Sequence, residues 1–240
     1  LSLLLQSCYY DDRRLTTTDE TAENDHLLLE LLTPVSKTYP SEMGRVSVSN
    51  GLQVLGGYGF CSDFVLQQYY RDIRIFAIYE GTTGIQSLDL LGRKVTMKNG
   101  KALQLLIAEM QQTLEEAATY EVLKPYARQL SEKMEDIQQV LRRLLGIAAT
   151  GDYERFLADA SIFMEYFSTI LVAWQWLKMG TAARRALVVG NGRFADDFYE
   201  AKLHAMKFFY KYELPKTLGL AQTLMDETAL TLSDATISID

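Results

Sequence analysis

Proline is scarce in this chain: only four residues, Pro34, Pro40, Pro125 and Pro215, interrupt a sequence of 240. The long intervals between them are also poor in glycine, and they carry apolar residues at spacings of three and four. That spacing places apolar side chains on one face of an α-helix, whereas a half-buried β-strand requires strict alternation. The sequence therefore predicts an all-α chain.

The clearest helical stripes lie in the second half of the chain. One begins near Lys101, and another runs through residues 130–148 in steps of four and three. Asp152 is placed to cap a third helix, which we expect to end at Gly180 because glycine commonly terminates helices. A fourth helix is expected from about 193 to 213. Two antiparallel layers of such helices would bury these stripes against one another.

Changes in composition suggest where the chain divides. A Lys-Asn-Gly sequence interrupts the helical pattern between residues 97 and 100. We therefore predict a four-helix-bundle-like region over residues 1–96 and a second helical bundle over 97–225. Residues 226–240 form an acidic tail that is rich in Ser and Thr and has no helical stripe, so we expect it to be ordered weakly or only by docking.

Charge and cysteine content exclude several classes of protein. The net charge is −7, which argues against a nucleic acid partner. Cys8 and Cys61 stand far apart and neither lies in a Cys-x-x-Cys pattern, so they indicate neither a zinc site nor a disulfide framework. The most apolar stretch, residues 170–177, is far shorter than the roughly 20 residues of a membrane span. We therefore expect a soluble, cytoplasmic protein with no membrane span.

Two further patterns point to other kinds of site. Residues 190–195 match the glycine-rich dinucleotide fingerprint in its alanine-ended form, but both flanks have helical patterns, which favours an interhelical turn. Glu23 and His26 have the ligand spacing of di-iron helix bundles, which require a second such pair. That pair is missing, because Ala201 stands three positions before His204. We therefore predict no metal site.

Two motifs in the first half carry a family resemblance. The sequence QVLGGYGF occupies residues 53–60, and YYRDIRIFAIYEGT occupies residues 69–82. In order and separation they resemble the C-terminal helical domain of the acyl-CoA dehydrogenase family. The region after residue 96 is similar to the larger members, including those that resemble 3-methylmercaptopropionyl-CoA dehydrogenase. The resemblance implies that the chain is the C-terminal part of a longer protein and is inactive as an isolated fragment.

The resemblance also implies a reaction. Members of this family use FAD to introduce an α,β double bond into acyl-CoA thioesters, with a glutamate as the base. Here Glu80 would take the α-proton while FAD accepts hydride from the β carbon. An electron-transfer flavoprotein would be a suitable electron acceptor, and the chain would form a homo-oligomer, either a dimer or a tetramer. In a eukaryote its location would be the mitochondrial matrix.

The residues around Glu80 suit this chemistry. An apolar run, residues 75–79, precedes Glu80, so partial desolvation of its carboxylate would strengthen it as a base. Gly81 carries no side chain to keep substrate away from the backbone. Thr82 or Thr83 can cap the following helix, and the resemblance places Thr82 beside the flavin.

The remaining candidate flavin contacts are weaker or belong to the other motif. Gly84 stands where family members usually carry a longer polar residue, so any side-chain contact from that position is lost here. Gln53 can hydrogen-bond, and Gly56 and Gly57 let backbone amides approach a phosphate. In the family this segment reaches the flavin of a neighbouring subunit.

One pair of residues in the second motif, and the chain as a whole, also have non-catalytic interpretations. Arg71 and Asp72 are expected to form a structural ion pair rather than to act directly. The whole chain could also be a non-catalytic helical module for oligomerisation or partner binding. The variant Glu80→Gln distinguishes these functions, because only an enzyme would lose substrate-dependent flavin reduction.

Overall fold

The computed structural model describes residues 1–18, 20–190, 192–228 and 230–232. All regular secondary structure in these ranges is helical, which confirms the predicted all-α class. Contacts divide the chain into two compact units, one ending at Leu105 and the other beginning at Leu106.

The first unit is built on two long helices, α1 (Ser2–Thr16) and α2 (Glu20–Val54). They pack through fully buried apolar side chains, namely Leu3, Tyr10, Leu27, Leu28, Leu31, Leu32 and Val35. Asp25 is also fully buried, and the Arg13 guanidinium forms a bidentate ion pair with its carboxylate. A buried carboxylate requires such a partner because an isolated buried charge is strongly unfavourable.

Helix α2 is longer than the sequence indicated. The sequence predicted helical intervals between the prolines, but α2 runs unbroken from Glu20 to Val54 and contains Pro34 and Pro40. Each interior proline removes one backbone hydrogen bond. The buried contacts with α1 offset this cost, and both prolines remain inside the helix.

Short helices complete the first unit. A 3₁₀ turn spans Gly56–Phe60, helix α3 spans Leu66–Asp72 and a second 3₁₀ turn spans Ile73–Ala77. Helix α4 (Thr83–Asp89) follows and continues into a π-type turn over Leu90–Lys94. The Lys94 ammonium donates to the Glu30 carboxylate of α2, which ties this last turn to the long helix.

Helix α5 (Met97–Ala118) carries a break near its start. Lys98, Asn99 and Gly100 all have positive φ, so regular helix begins only after them. The remaining helices are α6 (Lys124–Ala149), α7 (Tyr153–Leu157), α8 (Ala160–Val189), α9 (Asp196–Tyr212) and α10 (Thr217–Met225), with 3₁₀ turns at Leu214–Lys216 and Leu230–Leu232.

Helix α8 is the centre of the second unit. It is buried around most of its circumference, and its largest fully buried side chains are Phe163, Tyr166, Phe167 and Trp174. The Trp174 indole Nε1 donates to the Thr113 hydroxyl of α5 over 2.8 Å. The Tyr210 hydroxyl of α9 donates to the backbone carbonyl of Ala173 over 3.1 Å. Burial raises the pKa of Tyr210 well above its usual range.

The expected helix from Asp152 to Gly180 is wrong in two respects. Asp152 does act as an N-cap, because its carboxylate accepts from the Arg155 backbone N–H over 3.1 Å. However, the segment divides into α7 and α8, and α8 continues past Gly180. A Cβ at Gly180 would lie 2.4 Å from the Met206 sulfur of α9. Glycine there lets the Met206 side chain pack against α8 and does not end the helix.

The end of α8 excludes a dinucleotide site of the usual type. Residues 187–189 belong to α8, so they do not form the strand that must precede the fingerprint. Asn191 lies outside the described residues.

The predicted acidic tail is only partly described, because residues 229 and 233–240 lie outside the described ranges. The backbone carbonyls of Asp226 and Glu227 accept from Arg143 and Arg155 over 2.5 and 2.7 Å. No helix in the described ranges is long and apolar enough to cross a membrane.

Candidate active site

Glu80 lies in the short connection between the 3₁₀ turn Ile73–Ala77 and helix α4. Its φ is +51° and that of Gly81 is +89°, so two consecutive residues adopt the left-handed conformation. For a residue with a side chain this conformation costs about 1–2 kcal/mol. The surrounding structure must therefore stabilise Glu80 in this conformation.

Two side chains hold the backbone at this point. The Gln86 amide Nε2 of α4 donates to the Glu80 carbonyl over 3.0 Å. The Lys37 ammonium of α2 donates to the Gly81 carbonyl over 2.6 Å. A Cβ at Gly81 would lie 2.8 Å from the same Gln86 nitrogen, so a larger residue would displace that amide. Lys37 could not be identified from the sequence, because 44 residues separate it from Gly81 and no local pattern links them.

The start of α4 is fixed by two threonines. Thr82 is the N-cap, and its hydroxyl accepts from the Ile85 backbone N–H over 3.4 Å. The Thr83 hydroxyl donates to the Glu42 carboxylate of α2 over 2.6 Å. Of the two expected cap residues, Thr82 performs this role. Together with Lys37, Glu42 attaches the segment 80–83 to the middle of α2.

The Glu80 side chain is exposed. The expected desolvation by the preceding apolar run is therefore wrong for this chain, because residues 75, 76, 78 and 79 are themselves exposed. The expected ion pair between Arg71 and Asp72 is also wrong, since both are exposed and no pair joins them within the described residues. The chain thus fixes the backbone at Glu80 but does not enclose its carboxylate.

The glycine motif lies at the C-terminal end of α2. Gly56 has a φ of +58°, and a Cβ at Gly56 or Gly57 would meet no other atom within 4 Å. Their backbone is therefore open to a ligand. Gln53 is exposed beside them. In contrast, a Cβ at Gly59 would lie 2.5 Å from the Leu52 carbonyl oxygen, so that glycine serves packing.

The two motifs occupy different positions along α2. Glu42, which anchors the Glu80 segment, precedes Gln53 by 11 residues, or about 16 Å along the helix axis. Gly84 follows this segment in the first turn of α4, and a Cβ there would meet only the Thr82 hydroxyl, at 3.9 Å. The structure thus groups Glu80, Gly81, Thr82 and Gly84 and separates them from the glycine motif.

Apolar side chains are unusually exposed around both motifs. They include Val54, Tyr58, Phe60, Tyr69, Tyr70, Ile75, Phe76, Ile78, Tyr79 and Ile85. Extended exposed apolar surfaces of this kind usually mark contacts with other protein or with ligands. No group of three or more His, Cys, Asp or Glu residues in the part of the chain that the structure describes could hold a metal ion.

Two family models match the chain. Residues 14–96 match the model described as acyl-CoA dehydrogenase, C-terminal domain. Residues 106–233, more than half of the chain, match the model described as acetyl-CoA dehydrogenase C-terminal like. The first match includes both sequence motifs.

Two proteins with similar sequences are named as acyl-CoA dehydrogenases. A broad-specificity linear acyl-CoA dehydrogenase of Mycobacterium tuberculosis is 30% identical over 86% of this chain and 35% of its own length. A 3-methylmercaptopropionyl-CoA dehydrogenase of Ruegeria pomeroyi is 31% identical over 76% of this chain and 30% of its own length. The chain therefore spans about a third of the length of these relatives.

Among solved structures, Caenorhabditis elegans ACDH-11 in complex with C11-CoA has a similar fold. The TM-score is 0.58 and the identity 22%, over 75% of this chain and 30% of the other. At this identity the match supports the fold alone.

Proposed function

The chain belongs to the acyl-CoA dehydrogenase family, and on this premise we propose that it is the C-terminal helical part of an FAD-dependent acyl-CoA dehydrogenase in which Glu80 is the catalytic base. One observation carries the proposal: Glu80 adopts an unfavourable backbone conformation that Lys37 and Gln86 hold from two different helices. Such conformations are concentrated at functional sites, where they fix the direction of a reacting group.

The proposed role of Glu80 is a proton transfer. Its carboxylate would accept the proton from the carbon α to the thioester carbonyl. The electron pair of that C–H bond would delocalise toward the carbonyl oxygen and form the α,β double bond as hydride leaves the β carbon. The backbone near Gly81 carries no side chain, so the thioester can approach it closely and its oxygen can accept from a backbone N–H as charge develops. A fixed backbone at Glu80 lowers the entropy cost of placing its carboxylate in this geometry.

The residues present fit FAD. The open backbone of Gly56 and Gly57 suits a phosphate, and Gln53 is exposed beside it. Thr82 and Gly84 would contact the cofactor beside Glu80, where Gly84 has no side chain to obstruct a ligand. Bound FAD would supply the acceptor for the hydride that leaves the β carbon. In the family the glycine motif reaches the flavin of a neighbouring subunit, which supports a dimer or tetramer.

The isolated chain is expected to be inactive. Glu80 is exposed, and removal of a proton α to a thioester requires a water-excluded site. The exposed apolar side chains around Glu80 support the presence of a covering surface in the active protein. An electron-transfer flavoprotein is the proposed electron acceptor. The same exposed surface also favours a second candidate function, that of a non-catalytic assembly module.

The test uses the flavin spectrum of the longer protein that contains this chain. Anaerobic addition of acyl-CoA thioesters of different chain length should bleach the flavin, and Glu80→Gln should abolish the bleaching while leaving bound flavin unchanged. Glu154→Gln, which alters an exposed glutamate in the second unit, serves as the matched control and should bleach normally. Equal bleaching in Glu80→Gln would exclude Glu80 as the base. Absence of bound flavin would favour the assembly module.

A further inference from the structure

Helix α9 presents two apolar faces. The first is buried in the second unit and consists of Leu203, Met206, Phe209 and Tyr210. The second is formed by residues at spacings of three and four, and we name it the α9 stripe: Phe198, Ala201, Ala205, Phe208 and Tyr212. Its three aromatic side chains are 41%, 54% and 51% exposed, in chain order.

The spacing of the α9 stripe is that of a coiled-coil seam. Positions alternating by three and four residues line the face through which one helix packs lengthwise against another. The helix already uses its other face for the bundle, so the stripe is not needed for folding of the unit. Exposed apolar seams of this kind fit a second helix.

The stripe is complementary to itself in size. Ala205 lies at its centre, and the remaining four positions are arranged nearly symmetrically about it. In an antiparallel pair, Phe208 of one copy would lie opposite Ala201 of the other. Phe198 would lie opposite Tyr212. Each Phe208 thus packs against a small residue, and the two aromatic residues at the ends of the stripe pack against each other. The small residue at the centre, Ala205, allows the helix axes to approach.

The charges beside the stripe are also complementary to each other. Asp197 and Lys211 flank it on the same side, because they are 14 residues apart, two full heptads. Within one helix they are separated by about 21 Å, too far to interact. Neither forms an ion pair among the described residues, although the Lys211 ammonium lies 5.1 Å from the centre of the Tyr212 ring. An antiparallel pair would bring Asp197 of each copy beside Lys211 of the other, twice.

We propose that the occupant of the α9 stripe is a second copy of this chain, paired antiparallel about Ala205. A two-fold axis is the usual symmetry of a homodimer, and it requires a surface that is complementary to itself. Both the sizes and the charges along α9 meet this requirement. The interface belongs to the second unit and is independent of the chemistry at Glu80.

The experiment measures self-association of the 240-residue chain by sedimentation velocity over a dilution series. Asp197→Lys and Lys211→Asp should each raise the dissociation constant of the dimer at least about tenfold, because each places like charges together twice. The double variant restores opposite charges and should return the dissociation constant to within about threefold of the original. Phe208→Ala leaves the charges unchanged but removes apolar contact, so it should also weaken the dimer.

Asp196→Lys is the matched control. It makes the same charge change in the same turn, but lies about 100° further around the helix and away from the stripe, so it should leave association unchanged. A chain that is monomeric at all concentrations would overturn the proposal and assign the stripe to protein outside these residues. Association that ignores the single charge reversals, or that the double variant fails to restore, would overturn it as well.

Discussion

Replacing Lys37 tests whether the backbone at Glu80 is held from α2. The Lys37 ammonium donates to the Gly81 carbonyl over 2.6 Å, and Lys37→Met removes this bond while keeping a side chain of similar length. A hydrogen bond with a charged donor contributes about 1.5–3 kcal/mol. The left-handed conformation of Glu80 costs about 1–2 kcal/mol, so the loss of this bond is large enough to release the segment.

If this energy serves to orient the Glu80 carboxylate, its loss appears in the rate of proton transfer. A loss of 1.5–3 kcal/mol corresponds to a rate about 10- to 150-fold lower. The rate of flavin reduction by an acyl-CoA, measured by stopped flow in the longer protein, should fall by this factor, with little change in substrate affinity. Lys37→Arg keeps a donor and should retain most of the rate. Lys101→Met removes a half-buried lysine elsewhere, which pairs with Glu20 and does not touch the Glu80 segment, and should retain all of it.

A second measurement separates the structural inference from the catalytic one. Hydrogen–deuterium exchange of the 240-residue chain should be faster at residues 80–86 in Lys37→Met than in the original chain or in Lys101→Met. Unchanged exchange together with an unchanged reduction rate would refute the reasoning. Faster exchange in a protein whose Glu80→Gln variant remains active would instead retain the structural role and exclude Glu80 as the base.

Three further predictions concern stability. Gly59→Ala should lower the free energy of unfolding by about 1–3 kcal/mol, because its Cβ would lie 2.5 Å from a backbone oxygen, whereas Gly57→Ala should change it by less than about 0.5 kcal/mol. Arg13→Met should destabilise by about 3–5 kcal/mol in urea unfolding, because it leaves the buried Asp25 carboxylate unpaired. The hydrogen bond from Lys94 lowers the pKa of Glu30 below its usual range, so its stabilisation is present at neutral pH and is lost as pH falls through the lowered pKa. The stability difference between the original chain and Glu30→Gln should therefore shrink in acid.

The helices of the second unit could largely be predicted from the sequence. Their stripes of apolar residues follow the helical period, and this local signal survives in the folded chain. The predicted helix end at Gly180 was wrong, because this glycine lies against the Met206 side chain of another helix and the sequence does not display that contact. The expected interruption at Pro34 and Pro40 was also wrong, because packing of α2 as a whole against α1 outweighs the local preference of proline.

The candidate site was only partly predictable for a related reason. Glu80 and Thr82 belong to a motif of consecutive residues, which a sequence displays directly. Lys37 and Glu42 reach the same segment from a distant part of the chain, and no periodicity connects them with it. Exposure of the Glu80 carboxylate depends on everything packed around it, and an apolar run in the sequence does not determine whether that run is itself covered.

The most direct test of the central claim isolates the proton transfer from the redox step. The longer protein would be incubated in D₂O with an acyl-CoA analogue that carries sulfur in place of the β carbon, which has no hydride to give, and deuterium at the α carbon would be followed by NMR. If Glu80 is the base, incorporation should be rapid with the original protein and at least about a hundredfold slower with Glu80→Gln. Incorporation at the same rate in both proteins would contradict this assignment.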